Sequence, residues 1–277
     1  MSDPAKRPYL SASQMGLYNK CAEAYRRRYI EREVIPPGAA MVRGTALHKG
    51  AEHNFRQKIQ SRSDLPAGDI VEFAVETART VMDKEGLWLT VEEESRGAVA
   101  IIGEVIDSAA KLAGALMSEV APTIMPVAVE EEVVIAMPES THDLKGIMDI
   151  RTAESVEDFK TGKKMKGHKH WVSDSQMALY SLMHRARAGF DPTIRVHELL
   201  DQKKARTETV ELTYGEDDYK PLVRRINATL KGINAGFFPP TTPGAWWCSP
   251  DWCGYWQTCP YVNSERRDAA KKMKDEG

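Results

Sequence analysis

Gly146-Ile147-Met148-Asp149-Ile150 and, after a short turn, Val156-Glu157-Asp158-Phe159-Lys160-Thr161-Gly162 decide how this chain is read. Both stretches have the period of a β-strand. In the second, alternation sets Asp158 and Lys160 on one face and Phe159 on the other. Asp149 sits among Ile147, Met148 and Ile150 on the neighbouring strand. A carboxylate in an apolar strand is costly unless it is paired or holds a cation. Two carboxylates and a lysine at adjacent strand ends suit a hard divalent cation with a phosphate beside it.

Outward from these strands the pattern repeats in blocks. Residues 127–137, 144–151 and 155–159 read as three consecutive strands, 170–188 as a helix, 193–200 and 207–212 as two strands, and 216–235 as a helix. That order predicts an α/β fold, a sheet flanked by helices. Short links between consecutive strands make hairpins, so the sheet is mixed. Upstream, Gly44-Thr45-Ala46-Leu47-His48 opens a helix expected to start near Thr45 and to bury Leu47, Ala51, Phe55 and Ile59. A first helix is expected from Ser11 or Ser13 to Glu31. Helical patterns at 70–84 and 98–120 form an insertion. The chain then reads as one domain: N-terminal helices over 9–62, the insertion over 63–121, a core over 122–238 and a cysteine-rich tail over 239–262. Gln176 and Tyr180 are i, i+4 on their helix and face one strand end together.

Net charge is −2, so no global field attracts a polyanion. Locally, KTGKKMKGHKH follows the second strand. Such runs are usually solvated, but beside the carboxylates Lys163, Lys164, Lys166 and Lys169 are placed to grip phosphates. No run of apolar residues is long enough for a membrane span, and MSDPAKRPYL has no apolar leader core. A cytoplasmic setting is expected, and a charged end over 265–277 that frays. In that setting cysteines act as ligands more often than as disulfides. The chain has 4: Cys21 near the start, then Cys248, Cys253 and Cys259 near the end. Four thiolates suit one [4Fe–4S] cluster or one structural Zn²⁺, and either requires the chain ends to meet. Trp246, Trp247, Trp252 and Tyr255 surround the last three, as a lid or as stacking surfaces for an unpaired base.

The order GxxxH, GxxD, (D/E)xK with a following Thr-Gly, and QxxxY resembles the PD-(D/E)XK nucleases. It looks most like their RecB-type branch, which includes the CRISPR-associated exonucleases. LSASQMGLYNKCAEAYRRRYI is similar to that branch's opening helix, and Cys253-x5-Cys259-Pro260 resembles its closing cysteine motif. The resemblance spans about residues 9 to 261. It departs from the pattern at Ala22, where Pro is frequent, and in the spacing between Cys248 and Cys253, where two residues are usual. The resemblance implies a restriction-endonuclease-like core and metal-dependent hydrolysis of DNA, as an exonuclease on single strands or ends in recombination, repair or CRISPR-adaptation-type processing. It implies Mg²⁺ or Mn²⁺ on His48, Asp149, Asp158 and the Phe159 carbonyl, with Lys160 catalytic and Gln176 and Tyr180 ordering substrate or site. It further implies Cys21, Cys248, Cys253 and Cys259 as [4Fe–4S] ligands, and protein partners in a recombination or CRISPR-adaptation complex. The competing reading is a Zn²⁺-stapled nucleic-acid-binding subunit without catalysis. It gives no reason for His48, Asp149, Asp158 and Lys160 to occur in that order.

Overall fold

A computed structural model describes residues 7–137 and 140–268. Residues 1–6, where no apolar leader core is expected, and 269–277, the last part of the end expected to fray, lie outside the described residues. A short strand β1 (Tyr9–Leu10) precedes helix α1 (Ala12–Lys20). The Ser11 side chain accepts from the Gln14 N–H, and the Gln14 side chain accepts from the Ser11 N–H at 2.8 Å, closing a capping box. The single helix expected to Glu31 breaks at Cys21, whose backbone is extended (φ −162°, ψ 104°). The chain resumes as α2 (Ala22–Tyr25) and a π-helical turn over Arg26–Ile30.

Helix α3 runs Ala39–Ser61, starting six residues before the expected Thr45. Pro36 and Pro37 hold the preceding backbone out of the helical region. Past the N-cap Gly38 nothing opposes a helix, and Ala39-Ala40-Met41 favour one. Helices α4 (Ala67–Glu85), α5 (Val91–Arg96) and α6 (Ala98–Ala115) follow. α3, α4 and α6 pack through small side chains, among them Ala46, Ala74, Ala78 and Ala109. No described helix is long and apolar enough to cross a membrane.

The remaining strands are β2 (Ala128–Ile135), β3 (Asp143–Arg151), β4 (Ser155–Gly162), β5 (Thr193–Leu200) and β6 (Arg206–Leu212). Between them lie α7 (Gly167–Val172) and α8 (Ser175–Ala188), with α9 (Glu216–Asn234) after β6. The six-stranded sheet is mixed: β2–β3, β3–β4 and β5–β6 are antiparallel, while β1–β3 and β4–β5 are parallel. β2 follows one edge of β3 for most of its length. The other edge is shared, with β1 at Asp143 and Leu144 and β4 at Ile150 and Arg151. Between those contacts β3 and β4 splay. One face of the sheet packs Met148, Val156 and Val196 on Met177 and Met183 of α8 and Leu222 of α9. The opposite face packs Ile150, Phe159 and Leu199 on Leu47 and Phe55 of α3.

Candidate active site

The splay places Asp149. β3 and β4 pair only through Ile150–Glu157 and Arg151–Val156, and beyond those pairs the Phe159 amide looks to a side chain instead. Asp149 Oδ2 accepts the Phe159 N–H at 3.0 Å and lies 3.1 Å from Nδ1 of His48 on α3. On β4, Asp158 is fully buried, and Lys160 Nζ lies 2.8 Å from its Oδ2. Lys160 also donates to Gln176 Oε1 at 3.2 Å, and Gln176 Nε2 donates to Tyr180 Oη at 2.7 Å. His48 thus arrives from one face of the sheet and Gln176 and Tyr180 from the other, meeting where the strands part. Phe159 turns away into the core, which leaves its backbone at the site.

Gly146 explains how α8 comes so close. A Cβ there would meet Met183 Sδ at 2.6 Å and Tyr180 Cε1 at 3.3 Å. The expected helix over 170–188 is in fact α7 and α8, divided because the Asp174 side chain caps α8 by accepting from the Gln176 N–H at 2.7 Å. That cap puts Gln176 in the first turn of α8, directed at Lys160.

The charges are strongly coupled. Burial pushes the Asp158 carboxyl up to about 6, with Lys160 opposing and Asp149 adding to the rise. Burial acts on Asp149 in the same sense, but His48, Lys160 and the Phe159 N–H together hold it below the usual carboxylate range. Burial would lower His48, and Asp149 outweighs it to hold the imidazole at about 9. Burial likewise opposes the charge on Lys160, yet Asp158 and Asp149 raise it above its ordinary value. Lys160 is therefore an ammonium, not a free amine.

Glu130 belongs to this cluster and sequence reading missed it. It faces Asp149 across the β2–β3 ladder, and ligand atoms of His48, Glu130 and Asp149 all lie within 4.8 Å of one another. Its φ of 50° is rare for a residue with a side chain, and burial, Asp149 and Glu52 all raise its carboxyl pKa. Within Glu130-Glu131-Glu132 no spacing singles it out. Glu52, by contrast, is held by Lys49 and Arg56. Oxygen-rich ligands with one imidazole fit a hard divalent cation. Among the described residues, Asp158 is buried and shares both its oxygens with Lys160 alone, whose Nζ lies 3.0 Å from Oδ1 and 2.8 Å from Oδ2.

Lys163, Lys164, Lys166 and Lys169 are exposed on the loop and short helix beyond β4. Lys166 Nζ lies 4.8 Å over the Trp171 ring. The loop is anchored by Glu198, buried on β5 in register with Lys160, which accepts from the Lys166 N–H at 2.9 Å and the Gly167 N–H at 3.2 Å.

The chain ends meet. Arg27 donates to Tyr255 O at 3.3 Å and Thr258 Oγ1 at 2.6 Å, and Tyr255 Oη donates to Glu33 O at 3.2 Å. A Cβ at Gly254 would meet Ile35 at 2.5 Å. All 4 cysteines are free thiols, each half-buried. Burial pushes the Cys253 thiol up, and the charges of Cys21, Cys259 and Cys248 push it further, so the set lies within electrostatic reach.

The sequence profile of the PD-(D/E)XK nuclease superfamily matches residues 9–260. The chain belongs to that superfamily. The fold of this PD-(D/E)XK protein is similar to a crystal structure from Eubacterium rectale, provisionally named an exonuclease. The TM-score is 0.57 at 13% identity, covering 87% of this chain and 86% of that one. The crystal structure of SSO0001 matches at a TM-score of 0.44 and 14% identity, covering 95% of this chain and 90% of that one. No curated protein matches the chain.

Proposed function

We propose that this PD-(D/E)XK protein is a deoxyribonuclease hydrolysing phosphodiesters at the β3–β4 splay, acting as an exonuclease on single strands or DNA ends. The observation that carries this is the convergence of His48, Asp149, buried Asp158 and ammonium Lys160 in one cleft. His48, Asp149, Asp158 and the Phe159 carbonyl would hold Mg²⁺ or Mn²⁺, with Glu130 completing the acidic side. When bound, the ion supplies Lewis acidity and a water of lowered pKa.

The chain's own residues do the rest. Lys160, kept charged by Asp158 and Asp149, stabilises the negative charge that gathers on the phosphate oxygens. It is not the base. Gln176 fixes the lysine's direction, and Tyr180 fixes Gln176. Tyr180 stays a neutral phenol, since burial and the nearby carboxylates raise it well above its ordinary pKa. Lys163, Lys164 and Lys169 hold flanking phosphates, with Lys166 shared with Trp171.

We assign Cys21, Cys248, Cys253 and Cys259 to one [4Fe–4S] cluster that fastens the tail. The charges of Cys21, Cys248 and Cys259 all reach Cys253, so the meeting of the chain ends gathers the four thiols that such a cluster needs. A CRISPR-adaptation or recombination setting, in the cytoplasm and with protein partners, is the RecB-type reading extended to this chain.

The test compares cleavage of linear single strands, linear duplex and covalently closed circles in Mn²⁺, for the unmutated protein and for Asp149→Asn. Cleavage of linear DNA that Asp149→Asn loses supports the reading. Equal rates on closed circles overturn the end preference. No Asp149-dependent cleavage of any DNA overturns the nuclease assignment.

A further inference from the structure

A cavity of about 1350 Å³ opens between the N-terminal helices, the insertion and the cysteine-bearing coil, with Cys21 and Cys253 in its lining. It exceeds the roughly 300–1,000 Å³ of a pocket for a small ligand. One wall carries Lys20, Arg28 and Arg32. Among the described residues none of the three forms an ion pair with a carboxylate. Glu33, on the same wall, is taken by Arg27. Lys20 Nζ instead lies 5.4 Å from the Trp246 ring centroid and 5.8 Å from that of Trp247, and the Arg28 guanidinium lies 5.6 Å from that of Tyr29. Trp252 also lines the cavity and is 62% exposed. Glu85, Glu92, Glu93 and Glu94 also line it, as does Asp251, which accepts from the Val91 N–H at 3.1 Å.

Lys20 and Arg28 beside aromatic rings form the kind of surface that a single nucleic-acid strand recognises: phosphates meet the charges and bases meet the rings. The cavity and the site share helix α3. Met41, 52% exposed, lines the cavity on α3. His48 lies two turns further along the same helical face, about 10 Å away. We propose that this cavity seats one single strand bound for the β3–β4 splay, with its phosphates on Lys20, Arg28 and Arg32 and its bases against Tyr29, Trp247 and Trp252. The rings offer stacking surfaces to unpaired bases only, so the cavity selects a single strand over duplex. This rests on the nuclease reading above.

The probe is a single strand of about twelve thymidylates, bound in EDTA to the full protein and to Lys20→Ala/Arg28→Ala/Arg32→Ala. Hydrolysis of bis(p-nitrophenyl) phosphate in Mn²⁺ reports the metal site alone. The triple variant should bind at least about tenfold more weakly, with a salt slope shallower by about 2, while hydrolysing the small diester at the unmutated rate. Because such a variant can misfold, a strand carrying 5-iododeoxyuridine is also photo-crosslinked to the unmutated protein, and attachment is expected at Tyr29, Trp247 or Trp252. Unchanged affinity and slope in the triple variant, or crosslinks confined to other residues, overturn the proposal. So does equal affinity of the unmutated protein for single strand and duplex. If the unmutated protein hydrolyses neither DNA nor the small diester, the nuclease reading fails instead, and the binding results still decide the cavity.

Discussion

Replacing Asp158 by Asn should stabilise the metal-free protein at neutral pH while abolishing cleavage. Asp158 is buried, and its carboxyl is raised from 3.8 to about 6, chiefly by burial. The folded state therefore keeps a proton that the unfolded chain releases. That contribution is fully present below the unfolded value and is lost as pH rises through the folded one. Taking about 1.4 kcal/mol per unit, the ionised carboxylate costs the fold roughly 2 kcal/mol at pH 5 and roughly 3 kcal/mol at pH 7. Asparagine does not ionise and escapes this cost. The pull of Lys160, 2.8 Å away, is already contained in the value of about 6 and adds no further pH dependence. The diagnostic is therefore the slope of the difference with pH, not its absolute value. Urea unfolding in EDTA between pH 5 and 8 should show the Asn variant gaining on the order of 1 kcal/mol on the unmutated protein from pH 5 to 7. Mn²⁺ at a hundredfold its Kd should then stabilise the unmutated protein by about 2.7 kcal/mol and the variant hardly at all. A difference that does not change with pH would refute the burial argument.

At pH 7.5 Mn²⁺ binding should release close to one proton, because His48 is protonated up to about 9 and must lose its proton to ligate. Calorimetry in buffers of different ionisation enthalpy measures this, and His48→Gln should abolish the release. Gly146→Ala should cost about 1–3 kcal/mol and lower kcat, since its Cβ strikes Met183 and crowds Tyr180; unchanged thermal unfolding would contradict the contact. Glu198→Leu removes the acceptor for the Lys166 and Gly167 amides. It should speed hydrogen exchange there and weaken DNA binding, with Glu198→Gln partly restoring both. Cys21→Ser should lose iron and expose the 248–259 coil to proteases, and full iron retention would remove Cys21 from the ligand set.

The local order of the site was legible because strand alternation alone separates Asp158 and Lys160 from Phe159, and an i, i+4 spacing aligns Gln176 with Tyr180. Glu130 was not, because its place opposite Asp149 depends on register and its left-handed backbone on tertiary context. β1 is two residues held by pairing with Asp143 and Leu144, too short for any periodicity. The break at Cys21 likewise has no proline or glycine to announce it. Two misses did have a signal. Thr90-x-x-Glu93 is a capping box that opens α5, and Asp174 is an N-cap dividing α7 from α8. The early start of α3 follows from reading Gly38 as the cap instead of Thr45.

The meeting of the chain ends sets an order of assembly during synthesis. At ordinary elongation rates Cys21 leaves the ribosome roughly 10 to 50 s before Cys248. Throughout that interval the helix around it lacks its resting surface, because Tyr18 waits for Phe237 and Arg27 for Tyr255 and Thr258. The strands bearing Asp149 and Asp158 emerge in the meantime and can pair among themselves. A ribosome that stalls before the tail is made would thus release a protein with a finished sheet, an unclasped first helix and an exposed thiol.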